Sequence, residues 1–262
     1  MAKKKVKAKE KLLAKNLRNY EARVSKRRER YFLEPYKSLA KGIESRYKKS
    51  NYDDIEKDLD DLVEEYFDPK LQKTLFTVHT LNIREFIEYF VENFKRTLNL
   101  KQMQNIESEL LKEYLERYSG ETVTRVSRTT KKILKNRITE HKTAGMSFDD
   151  MVREIVADTK GEIGKKRAKI IARTETSKAI NSANFETASK AGLKKKKWIH
   201  AGGGITDRPS HIKMHEVTIG IKEKFKVPGH GKTPAVNMRF PKDPLVRVAG
   251  HIVHCYCQIS YF

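Results

Sequence analysis

Cysteine is almost missing from this chain: two occur among 262 residues, at positions 255 and 257, with one tyrosine between them. So low a count excludes the disulfide frameworks that staple small secreted domains. Long apolar runs are missing as well. No stretch approaches the roughly 20 residues that cross a bilayer, and the opening MAKKKVKAKEKLLAKNLRNY has positive charge without the apolar core of a secretory signal. These absences predict a soluble protein made in a cytoplasm, with no membrane partner. Apolar residues are scarce, at 38%. The length suffices to bury a core, so the scarcity predicts an elongated or partly exposed build. The glycine-rich AGGGITDRP has neither a Walker ending nor a Rossmann setting and reads as a turn rather than a phosphate cradle.

Positive charge is what the chain has in excess. A formal net charge of +22 predicts attraction to a polyanion, nucleic acid before an anionic membrane surface. The charge is uneven: Lys and Arg number 18 against 5 Asp and Glu over residues 1–49, 9 against 16 over 50–118, 20 against 9 over 119–200, and 9 against 4 over 201–262. The ends are basic and the waist acidic, which suggests separate tasks and makes the waist the candidate surface for protein contact. Candidate DNA contacts are Arg27, Arg28 and Arg30, beside aromatics in SKRRERYFLEPYK, and the run Lys194, Lys195, Lys196 and Lys197. An amphipathic helix docking on its own neighbours accounts for the first group equally well. Pro35 is expected to limit an unbroken helix there.

Helical periodicity dominates the first three-quarters of the chain. Phe86, Ile87, Phe90, Val91, Phe94 and Leu98 recur at three- and four-residue steps, as do Ile55, Leu59, Leu62, Val63 and Tyr66 upstream and Ile106, Leu110, Leu111, Tyr114, Leu115 and Tyr118 downstream. Each is one apolar stripe that must be covered by a neighbour. Gly145 is the expected end of the next helix, Ser147 an N-cap with Asp150 three residues on, Gly161 and Gly164 a second break, and Gly192 the stop of a long helix. After Lys194 the prolines multiply and short β-like pieces replace helices. The expected fold is mainly α: a basic helical arm over 1–50, a helical bundle or hairpin over 51–144, and a domain over 145–262 that is helical to about 193 and a small α+β module from 194.

Several ordered segments in the last part, GMSFDDMVREI, RAKIIARTETSKAINSA, KKKWIHA, DRPSHIKMHEVTI, RFPKDP and the final C-x-C, resemble the Mu-F-like phage head morphogenesis family of minor head proteins, over roughly residues 145–262. The matching positions are Arg173, Thr174, Glu175, Trp198, Arg208 and His211. The resemblance implies a structural protein inside a tailed-phage head, near the portal and in contact with packaged DNA, with major capsid or scaffold proteins as further partners. It implies no enzyme activity.

Two readings of the cysteines stay open. If the last strand starts by Val253, Cys255 and Cys257 share one face with Ile259 and Tyr261 and pack as small apolar side chains. Alternatively His211 and His215, four apart in HIKMH, join the two thiolates in a structural zinc site, with His251 and His254 as substitutes. Beyond that structural zinc no cofactor is expected. Glu175 is expected to pair with Arg208 or Lys178 and act structurally. The rival functions are a free basic DNA-binding protein and a zinc-dependent nuclease or transferase, the latter without an H-E-x-x-H base.

Overall fold

In the computed structural model, residues 2–47, 52–94, 98–200, 207–253 and 255–262 are described. Seven helices come first: α1 (Ala2–Arg46), α2 (Tyr52–Leu62), α3 (Asp68–Phe94), α4 (Leu100–Arg117), α5 (Ser119–Thr143), α6 (Phe148–Lys160) and α7 (Glu162–Lys190), with a π-helical turn, Val63–Phe67, joining α2 to α3. The module that follows holds β1 (Lys195–Ile199), α8 (Pro209–Lys213), β2 (Thr218–Gly220), β3 (Phe225–Val227), β4 (Val236–Met238), α9 (Ala249–Ile252) and β5 (Gln258–Tyr261). The fold is mainly α with a small α+β end, as the periodicity predicts.

The chain forms two compact units, each discontinuous in sequence. One comprises Met1–Lys26, His79–Tyr114 and Arg173–Phe262; the other comprises Arg27–Val78 and Leu115–Ala172. Helices that cross the boundary cause the discontinuity, because α1, α3, α4 and α7 each give one part to each unit.

In the second unit, α1 carries Phe32, Tyr36, Leu39, Ile43 and Tyr47 on a buried stripe. Pro35 does not end this helix. Proline removes the N–H that would meet the carbonyl four residues back, and the Thr74 hydroxyl donates to that Tyr31 carbonyl at 3.5 Å instead. The π turn shifts the phase of the stripe begun by Ile55, Leu59 and Leu62, so that Phe67 is fully buried where Tyr66 was expected. Tyr66 instead lies against Gly42, where a Cβ would stand 2.5 Å from its ring. Ser147 caps α6, accepting from the Asp150 N–H at 3.2 Å, and Gly145 beyond α5 has φ +67. Gly164 falls inside α7 rather than before it, and a Cβ there would meet the Thr159 carbonyl at 2.3 Å.

In the first unit, Leu17, Tyr20 and Val24 of α1 pack with Ile83, Phe86, Ile87 and Phe90 of α3, with Ile106 and Leu110 of α4, and with the alanine-rich middle of α7. These residues are core, as their spacing indicates, whereas Leu115, expected on the α4 stripe, is 48% exposed. The module has its own core around Trp198, Phe225, Met238, Phe240, Cys255, Cys257 and Ile259. Its sheet is antiparallel in the order β2-β1-β5, with Trp198 opposite Ile259, and β3 pairs separately with β4.

Candidate metal centre

The module gathers its reactive side chains on irregular backbone between short elements. Pro209 opens α8, its missing N–H costing nothing at a first turn, and this turn delivers His211 into the interior at 1% exposure. The strand expected through Val253 begins only at Gln258, so Cys255 and Cys257 sit on non-strand chain just before β5, both free thiols and both buried. That chain is fixed by the Cys255 N–H donating to the Ile252 carbonyl at 3.2 Å and by the Arg208 guanidinium donating to the Val253 carbonyl. Trp198 meets the His211 ring edge-on at 5.3 Å.

His211 Nδ1 lies 3.4 Å from Cys255 Sγ and 3.6 Å from Cys257 Sγ, and these three atoms are within 4.8 Å of one another. Its other ring nitrogen faces His251: Nε2 is 3.1 Å from His251 Nδ1, the two rings lying parallel, while His251 Nε2 is 2.8 Å from the Pro234 carbonyl. A carbonyl only accepts, so His251 Nε2 carries the proton. Burial lowers the His251 pKa, which keeps the ring neutral and leaves its Nδ1 an acceptor for His211 Nε2–H. With Nε2 donating that bond, His211 turns its Nδ1 toward the two sulfurs. A hydrogen bond from Cys257 holds the Cys255 thiol well below its ordinary range against burial, while donating that bond and burial push Cys257 up.

His215 does not join this group. The five-residue α8 ends at Lys213, so the helical i, i+4 relation fails, and His215 is exposed. Its Nδ1 accepts the His200 backbone N–H at 3.2 Å. His200 is the histidine that spacing arguments missed, although it stands in the KKKWIHA segment: its Nδ1 is 3.5 Å from Cys257 Sγ and its Nε2 is 3.6 Å from Asp207 Oδ1. His254 and residues 201–206 of the glycine-rich loop lie outside the described residues.

The IARTET positions serve the helical half of the same unit. Residues 175–184 of α7 are buried on all sides, so polar groups there must find partners. Glu175 is 3% exposed and binds Lys178 Nζ at 2.7 Å and His79 Nε2 at 3.2 Å. Burial opposes its ionisation, but the Lys178 charge and the His79 hydrogen bond outweigh it and hold the carboxyl at about 2. His79 is kept neutral by burial, so its contact is a hydrogen bond rather than an ion pair. The expected partner Lys178 is confirmed; Arg208 is engaged by Val253. Arg173 is half-buried with its guanidinium 3.9 Å from the centre of the Tyr256 ring, Arg18 lies 4.8 Å from the same ring, and Thr174 is half-buried. Glu21 of α1, which no motif signalled, accepts from Lys242, Ser177, Asn181 and Gln258 at 2.7–3.3 Å.

The candidate DNA contacts divide. Arg27, Arg30, Lys194 and Lys195 are exposed. Lys196 is not a surface residue: it alternates into the sheet with Trp198, is 0% exposed, and donates to the Ile221 carbonyl at 2.8 Å with Phe185 and Phe225 beneath its charge. Burial lowers its pKa to about 8. Arg28 is buried at 8% exposure because it falls on the inward side of α1, and half-buried Lys197 lies over the Phe262 ring at 5.4 Å.

A family model described as Phage Mu protein F like protein matches residues 120–260, beginning with α5 and so further upstream than the motifs suggest. The uncharacterised protein YqbB of Bacillus subtilis (strain 168) is 27% identical over 210 residues, covering 79% of this chain and 61% of YqbB. The chain thus aligns with about three-fifths of that relative's length. No solved structure matches.

Proposed function

Because the chain belongs to the Phage Mu protein F like family, we propose that it is a minor head protein of a tailed phage. It acts in head morphogenesis and resides inside the virion head near the portal. Its helical part attaches to the portal protein, its basic surface lies against packaged double-stranded DNA, and it is not an enzyme. The observation that carries this reading is the family match, which spans more than half of the chain.

The chemistry of the buried groups supports a structural role. Glu175 is committed to Lys178 and His79 away from solvent, so it is not poised to exchange protons with a substrate. The net charge of +22 and the exposed Arg27, Arg30, Lys194 and Lys195 favour contacts to phosphate, which position a protein on DNA without reading sequence. The waist is a weaker candidate for docking than its composition suggests. Several of its acids pair with this chain's own cations: Asp60 with Lys131 at 3.0 Å, Glu65 with Arg46 at 2.6 Å, and Glu113 with Arg239 at 3.2 Å.

Co-expression with the portal protein of the same genome tests the attachment. Size exclusion with light scattering at high salt should give a defined complex; separate elution of the two proteins would count against portal docking and leave a DNA-binding protein recruited by charge.

A further inference from the structure

We propose that His211, Cys255 and Cys257 form a structural zinc site, with His200 as the fourth ligand, that staples the C-terminal module. Four donors at the corners of a tetrahedron, with Zn–S of about 2.3 Å and Zn–N of about 2.0–2.1 Å, place sulfur and nitrogen about 3.6 Å apart. Three of the four sulfur to nitrogen separations are 3.4 Å, 3.5 Å and 3.6 Å; the ligand atoms of His211, Cys255 and Cys257 lie within 4.8 Å of one another, and the His200 ring, already at Cys257, turns inward to complete the set. The fit extends to the groups behind the ligands. Metal-binding imidazoles turn their other N–H to a carboxylate, carbonyl or similar acceptor, which fixes the bare nitrogen on the metal. His211 does so through His251 to the Pro234 carbonyl, and His200 through Asp207. Two independent chains of contact therefore leave Nδ1 of both rings aimed at the sulfurs.

The surroundings specify structure over catalysis. A catalytic zinc keeps a coordination position for water, whereas here His200 stands beside the fourth corner, in contact with Cys257, and Cys255, Cys257 and His211 are buried. A staple is needed where it stands. Residues 207–215 and 249–257 contain only the short α8 and α9 and no strand, and the cluster ties these two segments to the end of β1. The pairing of ligands across 44 and 46 residues gives the metal long loops to close.

The test uses the full chain without an affinity tag, dialysed against metal-free buffer and measured by elemental analysis. One zinc per chain is expected. Cys255→Ser and Cys257→Ser should each fall to background, His200→Ala should bind zinc at least tenfold more weakly, and His215→Gln should retain one equivalent. Since a cysteine variant can fail to fold, cobalt(II) is added to chelator-stripped wild type in parallel. Tetrahedral d–d absorption with a thiolate charge-transfer band is expected. Wild type holding no zinc and giving no thiolate band with cobalt would overturn the site, as would one equivalent retained by a folded double-cysteine variant.

Discussion

At Glu21 one buried carboxylate accepts both Lys242 contacts together with bonds from Ser177, Asn181 and Gln258. Removing it strands a lysine that is itself 1% exposed. Breaking a buried pair by deleting one partner costs about 3–5 kcal/mol, so Glu21→Ala should lose that much in urea denaturation, while exposed Glu154→Ala should change little. Glu175 gives a pH signature. Its folded pKa of about 2 lies below the ordinary 4.5, so the folded state binds fewer protons than the unfolded and the stabilisation is complete only above the unfolded value. Stability should fall as pH drops from 4.5 towards 2, and Glu175→Gln should flatten that part of the denaturation profile. The lowered pKa of His79 has the same sign and begins to act below the ordinary 6.5. The Glu175–Lys178 pair was legible because it is three apart on one helix. Glu21 was not, since its partner Lys242 is 221 positions away and no local pattern marks a carboxylate that meets its cation only after folding.

Caps and apolar stripes made the helices readable: Ser147, Gly145 and Gly192 stand where the sequence puts them. Breakers were the poorer guides. Pro35 sits inside α1 because Thr74 serves the carbonyl it leaves, and Gly164 sits inside α7 because the Thr159 carbonyl crowds its Cβ position. The π turn was invisible to a 3.6-residue period, and it is what turns Tyr66 onto Gly42. Helix propensity alone favours Ala over Gly by about 1 kcal/mol. Overpacking against the Tyr66 ring costs about 1–3 kcal/mol, so Gly42→Ala should be neutral to destabilising by about 2 kcal/mol in thermal or urea denaturation. A gain of 1 kcal/mol would mean that the ring moves aside freely. In the module, the C-x-C and the surrounding histidines were visible, but their geometry was not. The short α8 removes His215 from the cluster, and a strand starting at Gln258 instead of Val253 frees the cysteines from alternation.

Net charge is a property of the whole chain, and +22 makes salt the natural probe. A protein neutralising six to ten phosphates loses roughly 10³–10⁵ in affinity between about 50 and 200 mM salt. Binding to mixed-sequence duplexes should fall in that manner and be indifferent to sequence. The double variant Lys194→Ala with Lys195→Ala should lower the slope of log affinity against log salt by about 2. Lys196→Ala should leave the slope alone and lower stability, because its ammonium faces the Ile221 carbonyl indoors. Periodicity announced the mainly α fold. It could not announce that several of the waist's acids pair with this chain's own cations, or that α1, α3, α4 and α7 are each divided between two units. The central claim is that this member of the Phage Mu protein F like family is a head component, and quantitative mass spectrometry of purified DNA-filled heads, assembled from the genome that encodes the chain, tests it most directly. The account predicts the chain in those heads at a few copies per portal ring; heads that are complete and filled without it would contradict the account.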